Sequence, residues 1–97
     1  MTPGLRVFVV EDEPPARDYL QSLLVAAGMQ VTGASGDADE AISLIDASRP
    51  DVVFLDVRLR SGDGLSVLRG LSHSPHIIFT TAYEAHAVAA FELGAFR

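Results

Sequence analysis

The sequence predicts an α/β fold built on a parallel β-sheet. Short apolar runs of strand length alternate with stretches of helical spacing, which is typical of βα units. Residues 51–56 are apolar on both faces, as a central parallel strand should be. Glycine or proline punctuates most of the boundaries between these runs. The chain of 97 residues fits one such domain.

The first half of the chain contains two predicted strands and a helix. Residues 5–10 form a β-branched, aromatic run of strand length. Pro14 and Pro15 predict the start of a helix, because proline is tolerated only in its first turn, and Gly28 predicts its end. Residues 29–34 form a less apolar strand, which we expect at an edge of the sheet. The apolar stripe of this helix comprises Ala16, Leu20, Leu23, Leu24 and Ala27.

The remaining elements follow the same alternation. Asp37 with Glu40 resembles a capping box and predicts a second helix that ends before Pro50. Residues 61–64 predict a loop, and residues 77–80 a fourth strand. The second helix is expected to bury Ala41, Leu44 and Ile45. A third helix contains Leu65, Leu68 and Leu71, and a fourth contains Ala87, Val88, Phe91 and Leu93 and ends at Gly94. Residues 95–97 resemble the start of a fifth strand.

Composition narrows the classes of partner. The net charge of −6 argues against direct binding of nucleic acid or an anionic membrane, because phosphates are bound through basic surfaces. No apolar run approaches the length of a membrane span, and the first residues lack the basic start of a signal peptide. Cysteine is absent, which removes disulfides and thiolate sites. We therefore expect a cytoplasmic location.

Acidic residues follow two of the predicted strands. Glu11, Asp12 and Glu13 come after the first, and Asp56 closes the third. The carboxyl ends of parallel strands share one edge of the sheet, so these carboxylates are expected to cluster there. Clustered carboxylates repel one another unless a cation joins them, and Mg²⁺ prefers such oxygen ligands. Asp12 is the best candidate for a metal ligand, and Glu11 either binds the metal through water or adjusts the electrostatic field at the site.

Each of these residues also has a simpler interpretation. Asp56 suits a nucleophile toward phosphorus, yet aspartate is common where strands end; the neighbouring acidic residues favour a site. Glu13 is explained by the charge preference of a helix N-terminus. Thr81 follows the fourth strand, where its hydroxyl could donate to a phosphoryl oxygen, whereas Thr80 is explained by the ordinary β-propensity of threonine. Surface positions or helix ends are expected for His73, His76 and His86.

The residues at the strand ends exclude two other kinds of site. Nucleotide-binding α/β domains place glycines and backbone N–H groups after the first strand, where this chain has carboxylates. A phosphatase of the haloacid dehalogenase type needs a second aspartate two residues after its nucleophile, and Arg58 stands there. Arg58 and Arg60 are more simply explained as solvated surface residues.

On these residues the chain resembles the receiver domain of two-component response regulators. The matching segments are the acidic pair Glu11-Asp12, the phosphoacceptor segment 55–59, the turn Asp63-Gly64 and the pair Thr81-Ala82. Residues 13–17, 79–83 and 87–95 resemble receivers joined to LytTR-type DNA-binding domains. The resemblance covers residues 1–97 as one receiver domain and implies a flavodoxin-like sheet with strand order 2-1-3-4-(5).

The resemblance also implies roles for named residues. Asp56 would accept a phosphoryl group from a histidine kinase. Asp12, Asp56 and the backbone carbonyl of Arg58 would hold Mg²⁺, assisted by Glu11. Thr81 would report the phosphoryl group, next to a small residue at Ala82, and residues 83–94 would form the output surface. Such a domain phosphorylates itself but is not a turnover enzyme, and it controls an output domain that this chain does not contain.

One feature departs from the family. Its members carry a lysine after the fifth strand and then a fifth helix, whereas all seven basic residues here are arginine. We therefore expect a receiver that is incomplete at its C-terminus, with an incomplete fifth strand and no fifth helix. An alternative is an interaction or dimerisation module that works without phosphorylation and pairs copies through the exposed edge, including by strand exchange.

Overall fold

In the part of the chain that the structure describes, four parallel strands form the main sheet. The structure, a computed structural model, describes residues 4–59 and 62–80. Its strands are β1 (Arg6–Val10), β2 (Gln30–Ser35), β3 (Val52–Leu55), β4 (Arg58–Leu59), β5 (Gly62–Asp63) and β6 (His76–Phe79). Its helices are α1 (Pro14–Ala26), α2 (Ala38–Ser48) and α3 (Leu65–Gly70).

The order of the main sheet is β2-β1-β3-β6, with every neighbouring pair parallel. Since β6 is the fourth strand of this sheet, the predicted order 2-1-3-4 is confirmed, and β2 lies at an edge as expected. Val10 pairs with Leu55, and Leu55 pairs with Phe79, so these three strands end level with one another. The predicted fourth helix and the start of a fifth strand lie outside the described residues.

The sheet is covered on both faces. Along β1, Phe8 and Val10 belong to an apolar cluster with α2 and α3, while Val7 and Val9 belong to a second cluster with α1. This alternation follows from the two-residue period of a strand. All four side chains are fully buried, so β1 is a rigid central support for whatever follows Val10.

Helix α1 starts and ends close to the predicted residues, but only part of its apolar stripe is buried. Pro14 opens it, and Gly28 follows its end with a φ of 88°, a conformation that favours glycine. Leu24 is buried and Leu20 is partly buried, whereas Leu23 is 47% exposed. Ala16 and Leu23 lie in the helix and Ala27 caps it, as their spacing predicts. All three are exposed, because the helix meets the sheet along one i, i+4 seam.

One of the two hydrogen bonds of the predicted capping box at the start of α2 is confirmed. The Asp37 carboxylate accepts the Glu40 N–H at 2.9 Å, but the Glu40 carboxylate accepts the Ser35 hydroxyl at 2.7 Å instead of returning to the cap. Ala41 and Ile45 are fully buried as predicted. Leu44 was expected to be buried but is 41% exposed, because it lies on the flank of the helix.

A short hairpin occupies part of the segment that was predicted to be a loop. Strands β4 and β5 pair antiparallel, with Arg58 opposite Asp63 and Leu59 opposite Gly62. Val57 and Leu59 are both buried. Their alternating side chains anchor the segment after Asp56 to the core, a tertiary effect that turn residues alone do not reveal.

His73 was expected at the surface but is half-buried beside α2. Its Nδ1 lies 3.3 Å from Asp46 Oδ1, and the Ser72 N–H donates to the same oxygen at 3.1 Å. The Ser72 N–H holds the pKa of the Asp46 carboxyl below its ordinary value, with the His73 contact acting in the same direction. The contact ties the segment before β6 to α2, far from the acidic residues at the sheet edge.

Candidate metal centre

Backbone hydrogen bonds hold the residues that follow the central strands. The Asp56 N–H donates to the Val10 carbonyl at 2.9 Å, and the Glu11 N–H donates to the Ser35 carbonyl at 3.0 Å. The ladder of the sheet thus continues one residue beyond β1 and β3 on this edge. Glu11 and Asp56 are therefore fixed on adjacent strand ends.

The carboxylates of Glu11, Asp12 and Asp56 come together at this edge. One oxygen from each lies within 4.8 Å of the other two, and all three residues are half-buried. In an octahedral Mg²⁺ site with metal–oxygen distances of 2.0–2.1 Å, opposite ligand oxygens are about 4.2 Å apart. The three carboxylates therefore fit a single hard cation after only small adjustments.

The cluster changes the ionisation of Glu11. Burial is the largest cause that raises its pKa, from an ordinary 4.5 to about 7. The negative charges of Asp56 and Asp12, together with a hydrogen bond to Asp56, raise the pKa further, while the Glu13 N–H opposes the shift. The Glu13 N–H donates to Glu11 Oε1 at 3.3 Å. A bound cation would favour the ionised form of Glu11 against both the burial and the repulsion.

Gly64 gives Asp56 its close backbone environment. A Cβ at this position would overlap the Asp56 carbonyl oxygen and lie 2.9 Å from the Val57 Cα. The Gly64 N–H donates to the Val57 carbonyl, immediately before α3 begins. In the sequence, Gly64 is predicted to belong to a turn and to the start of a helix, and α3 does begin at the next residue. Its contact with the segment after β3 becomes visible only in three dimensions.

The other predicted site residues are distributed as follows. Glu13 is exposed at the N-terminus of α1, which agrees with its interpretation as a helix-end charge. The Thr80 N–H donates to the Leu55 carbonyl at 3.0 Å, so the backbone of Thr80 extends the sheet. Arg58 lies in β4, two residues beyond Asp56, and the role of its carbonyl stays a prediction. Thr81 and Ala82 lie outside the described residues.

Within the described ranges, no helix is both long and apolar enough to cross a membrane.

Comparison with known proteins identifies the family. The sequence matches the response regulator receiver domain over residues 7–97. Over 95 residues it is 39% identical to the transcriptional regulatory protein BtsR of Salmonella typhi, an alignment that covers 95% of this chain and 40% of that protein. It is 38% identical over 95 residues to the sensory transduction protein LytT of Bacillus cereus, covering 94% of this chain and 39% of that protein.

The fold agrees with this match. The structure resembles the crystal structure of the response regulatory domain of protein mrkE from Klebsiella pneumoniae, with a TM-score of 0.82 and 34% identity, covering 95% of this chain and 79% of that one. The chain spans about 40% of the length of the curated relatives it matches. With the family match, the sheet order and the acidic edge in agreement, this chain belongs to the response regulator receiver domains.

Proposed function

We propose that this chain is a phosphorylation-dependent signalling switch, in which Asp56 accepts a phosphoryl group from a histidine kinase in the presence of Mg²⁺. The observation that carries the proposal is the cluster of Glu11, Asp12 and Asp56, whose carboxylate oxygens lie within 4.8 Å of one another. Two of these residues follow β1 directly and the third follows β3, so the backbone of the sheet presents them together.

Asp56 is the proposed nucleophile. It follows the apolar strand β3, its N–H is held by the Val10 carbonyl, and its side chain is half-buried at the edge of the sheet. A carboxylate oxygen of Asp56 would attack the phosphorus of a phosphohistidine. An O–P bond forms and the N–P bond breaks, leaving the electron pair on the histidine nitrogen. A rigid support of this kind favours a transfer that depends on positioning.

The acidic residues supply the ligands of the proposed cation. Asp12 and Asp56 would hold Mg²⁺ with the backbone carbonyl of Arg58, and Glu11 would assist. When bound, the cation reduces the repulsion between Asp56 and the incoming phosphoryl group. Burial and the neighbouring carboxylates raise the pKa of Glu11 to about 7, and a bound cation would favour its ionised form.

The proposed consequence of phosphorylation is control of an output domain, which we infer to be a LytTR-type DNA-binding domain. Two relatives carry the names of a transcriptional regulatory protein and a sensory transduction protein, and this chain spans about 40% of their length. Thr81 would respond to the phosphoryl group and bias residues 83–94 between two states. The net charge of −6 supports leaving DNA contacts to the output domain.

Labelling with a small acyl phosphate tests the proposal. With Mg²⁺ present, we expect the intact mass of the chain to increase by one phosphoryl group. Asp56→Asn should abolish this increase, and chelation of Mg²⁺ should suppress it. Asp39→Asn is the matched control, because Asp39 is an exposed acidic residue in the first turn of α2. Equal labelling of Asp56→Asn and the unmodified chain would contradict the assignment of Asp56.

The same measurement addresses the alternative of an interaction module that works without phosphorylation. That alternative predicts no mass increase under any Mg²⁺ concentration, together with an association of copies that the acyl phosphate leaves unchanged. Sedimentation of the chain with and without the phosphodonor therefore completes the test.

A further inference from the structure

A guanidinium group contacts the peptide unit that joins two residues of the acidic cluster. Arg17 lies in the first turns of α1, and its Nη1 donates to the Glu11 carbonyl at 2.9 Å. The same peptide unit contains the Asp12 nitrogen, since Asp12 is the next residue. On its other side, the Glu11 N–H is held by the Ser35 carbonyl at 3.0 Å. Both polar groups of Glu11's backbone are therefore restrained.

Gly36 provides the space for this contact. A Cβ at Gly36 would lie 2.7 Å from Arg17 Nη1, 3.0 Å from the Asp12 Cα and 3.2 Å from the Glu11 carbonyl oxygen. Arg17 is half-buried where the segment between β1 and α1 meets the segment between β2 and α2. Any side chain at Gly36 would push against the guanidinium or the Asp12 backbone. The contact is thus a close fit rather than a loose surface pair.

We propose that Arg17 is a positioning residue of the metal centre: its guanidinium fixes the peptide unit between Glu11 and Asp12. This inference rests on the proposed function, in which Glu11, Asp12 and Asp56 bind Mg²⁺. Asp56 is placed by the backbone of the sheet, whereas Asp12 lies in the segment beyond it. Arg17 adds a side-chain restraint to the segment that carries Asp12, and this restraint helps to set the position of Asp12 relative to Asp56.

The effect of removing Arg17 separates positioning from charge. A positive charge near a cation site disfavours the cation, so loss of the guanidinium should strengthen Mg²⁺ binding if charge alone mattered. A positioning role predicts weaker binding, because the ligands are no longer held in place. Loss of a group that hydrogen-bonds a metal ligand directly typically reduces metal affinity 10–100-fold, and Arg17, which acts through the Glu11 backbone, is expected at the lower end of that range.

The test is a titration of the full chain with Mg²⁺ and then with Ca²⁺, followed through the amide resonances of Asp12 and Asp56. We expect Arg17→Met to weaken Mg²⁺ binding by about tenfold, and Arg17→Lys to recover part of this loss. The loss should be smaller for Ca²⁺, which tolerates irregular geometry better than Mg²⁺. Arg69→Gln, at an exposed position of α3, is the control with the same change of charge and should leave the affinity unchanged.

Gly36→Ala provides an independent variant that keeps every charge. It should weaken Mg²⁺ binding as Arg17→Met does, but its methyl group also meets the Asp12 Cα. Arg17→Gln is therefore the variant that decides the question if Arg17→Met fails to fold. Unchanged or tighter Mg²⁺ binding in the folded variants, or equal losses for Mg²⁺ and Ca²⁺, would overturn the role of Arg17. Absence of saturable Mg²⁺ binding in the unmodified chain would instead overturn the proposed function.

Discussion

Among single residues, Glu11 has an ionisation that is strongly altered by its neighbours. Its pKa is raised to about 7 by burial and by the carboxylates of Asp56 and Asp12. The folded protein therefore binds more protons than the unfolded chain between the ordinary pKa of 4.5 and about 7. The free energy of unfolding contributed by this group must fall as the pH rises through that range.

Glu11→Gln should remove this dependence. In the absence of divalent cations, we expect the variant to be more stable than the unmodified chain at pH 8, by on the order of 1 kcal/mol after allowance for solvent screening. The difference should vanish near pH 4, where the glutamate is protonated in both states. Urea unfolding with a chelator across this range measures it, and Glu13→Gln serves as the exposed control. A Glu11→Gln effect that is the same at both pH values would contradict the raised pKa.

At the scale of elements, the junction between β3 and α3 depends on Gly64. A Cβ there would overlap the Asp56 carbonyl oxygen, so the start of α3 must move away or the segment after β3 must shift. We expect Gly64→Ala to cost about 2 kcal/mol of unfolding free energy, as overpacking against fixed backbone does, and to reduce labelling of Asp56 by an acyl phosphate.

The control for Gly64→Ala is another glycine of the chain. Gly28 has a φ of 88° at the end of α1, and among the described residues no atom outside its own chain neighbours lies within 4 Å of a Cβ built on it. Gly28→Ala should lose roughly 1 kcal/mol through backbone strain and leave labelling intact. Equal labelling in the two variants, at temperatures where both are folded, would show that Gly64 does not position Asp56.

The main elements could be predicted because their signals are local. Strand β3 is apolar throughout, Pro14 can open a helix but not lie inside one, and Asp37 with Glu40 marks the start of α2. The exposure of Leu23 and Leu44 could not be predicted, since it depends on the width of each helix's contact with the sheet. The hairpin of β4 and β5 likewise depends on burial of Leu59 by the rest of the fold.

Part of the candidate site could also be predicted from the sequence. Asp12 and Asp56 were expected together because parallel strands end at a common edge, and the structure brings their oxygens within 4.8 Å. The contact of Arg17 with the Glu11 carbonyl and the close approach of Gly64 to Asp56 depend on distances between separate segments. No local pattern encodes those distances. The role assigned to Thr81 stays a prediction.

At the scale of the whole molecule, we propose that two distant parts of the chain share one cation. Mn²⁺ is the direct probe, because it accepts the same oxygen ligands as Mg²⁺ and broadens nearby amide resonances. At substoichiometric Mn²⁺ we predict simultaneous broadening of Glu11, Asp12 and Asp56, reversed by excess Mg²⁺, with much weaker broadening of Asp51, which precedes β3 at the opposite end of the sheet. Broadening confined to one of the two strand ends, or centred elsewhere on the acidic surface, would contradict the account.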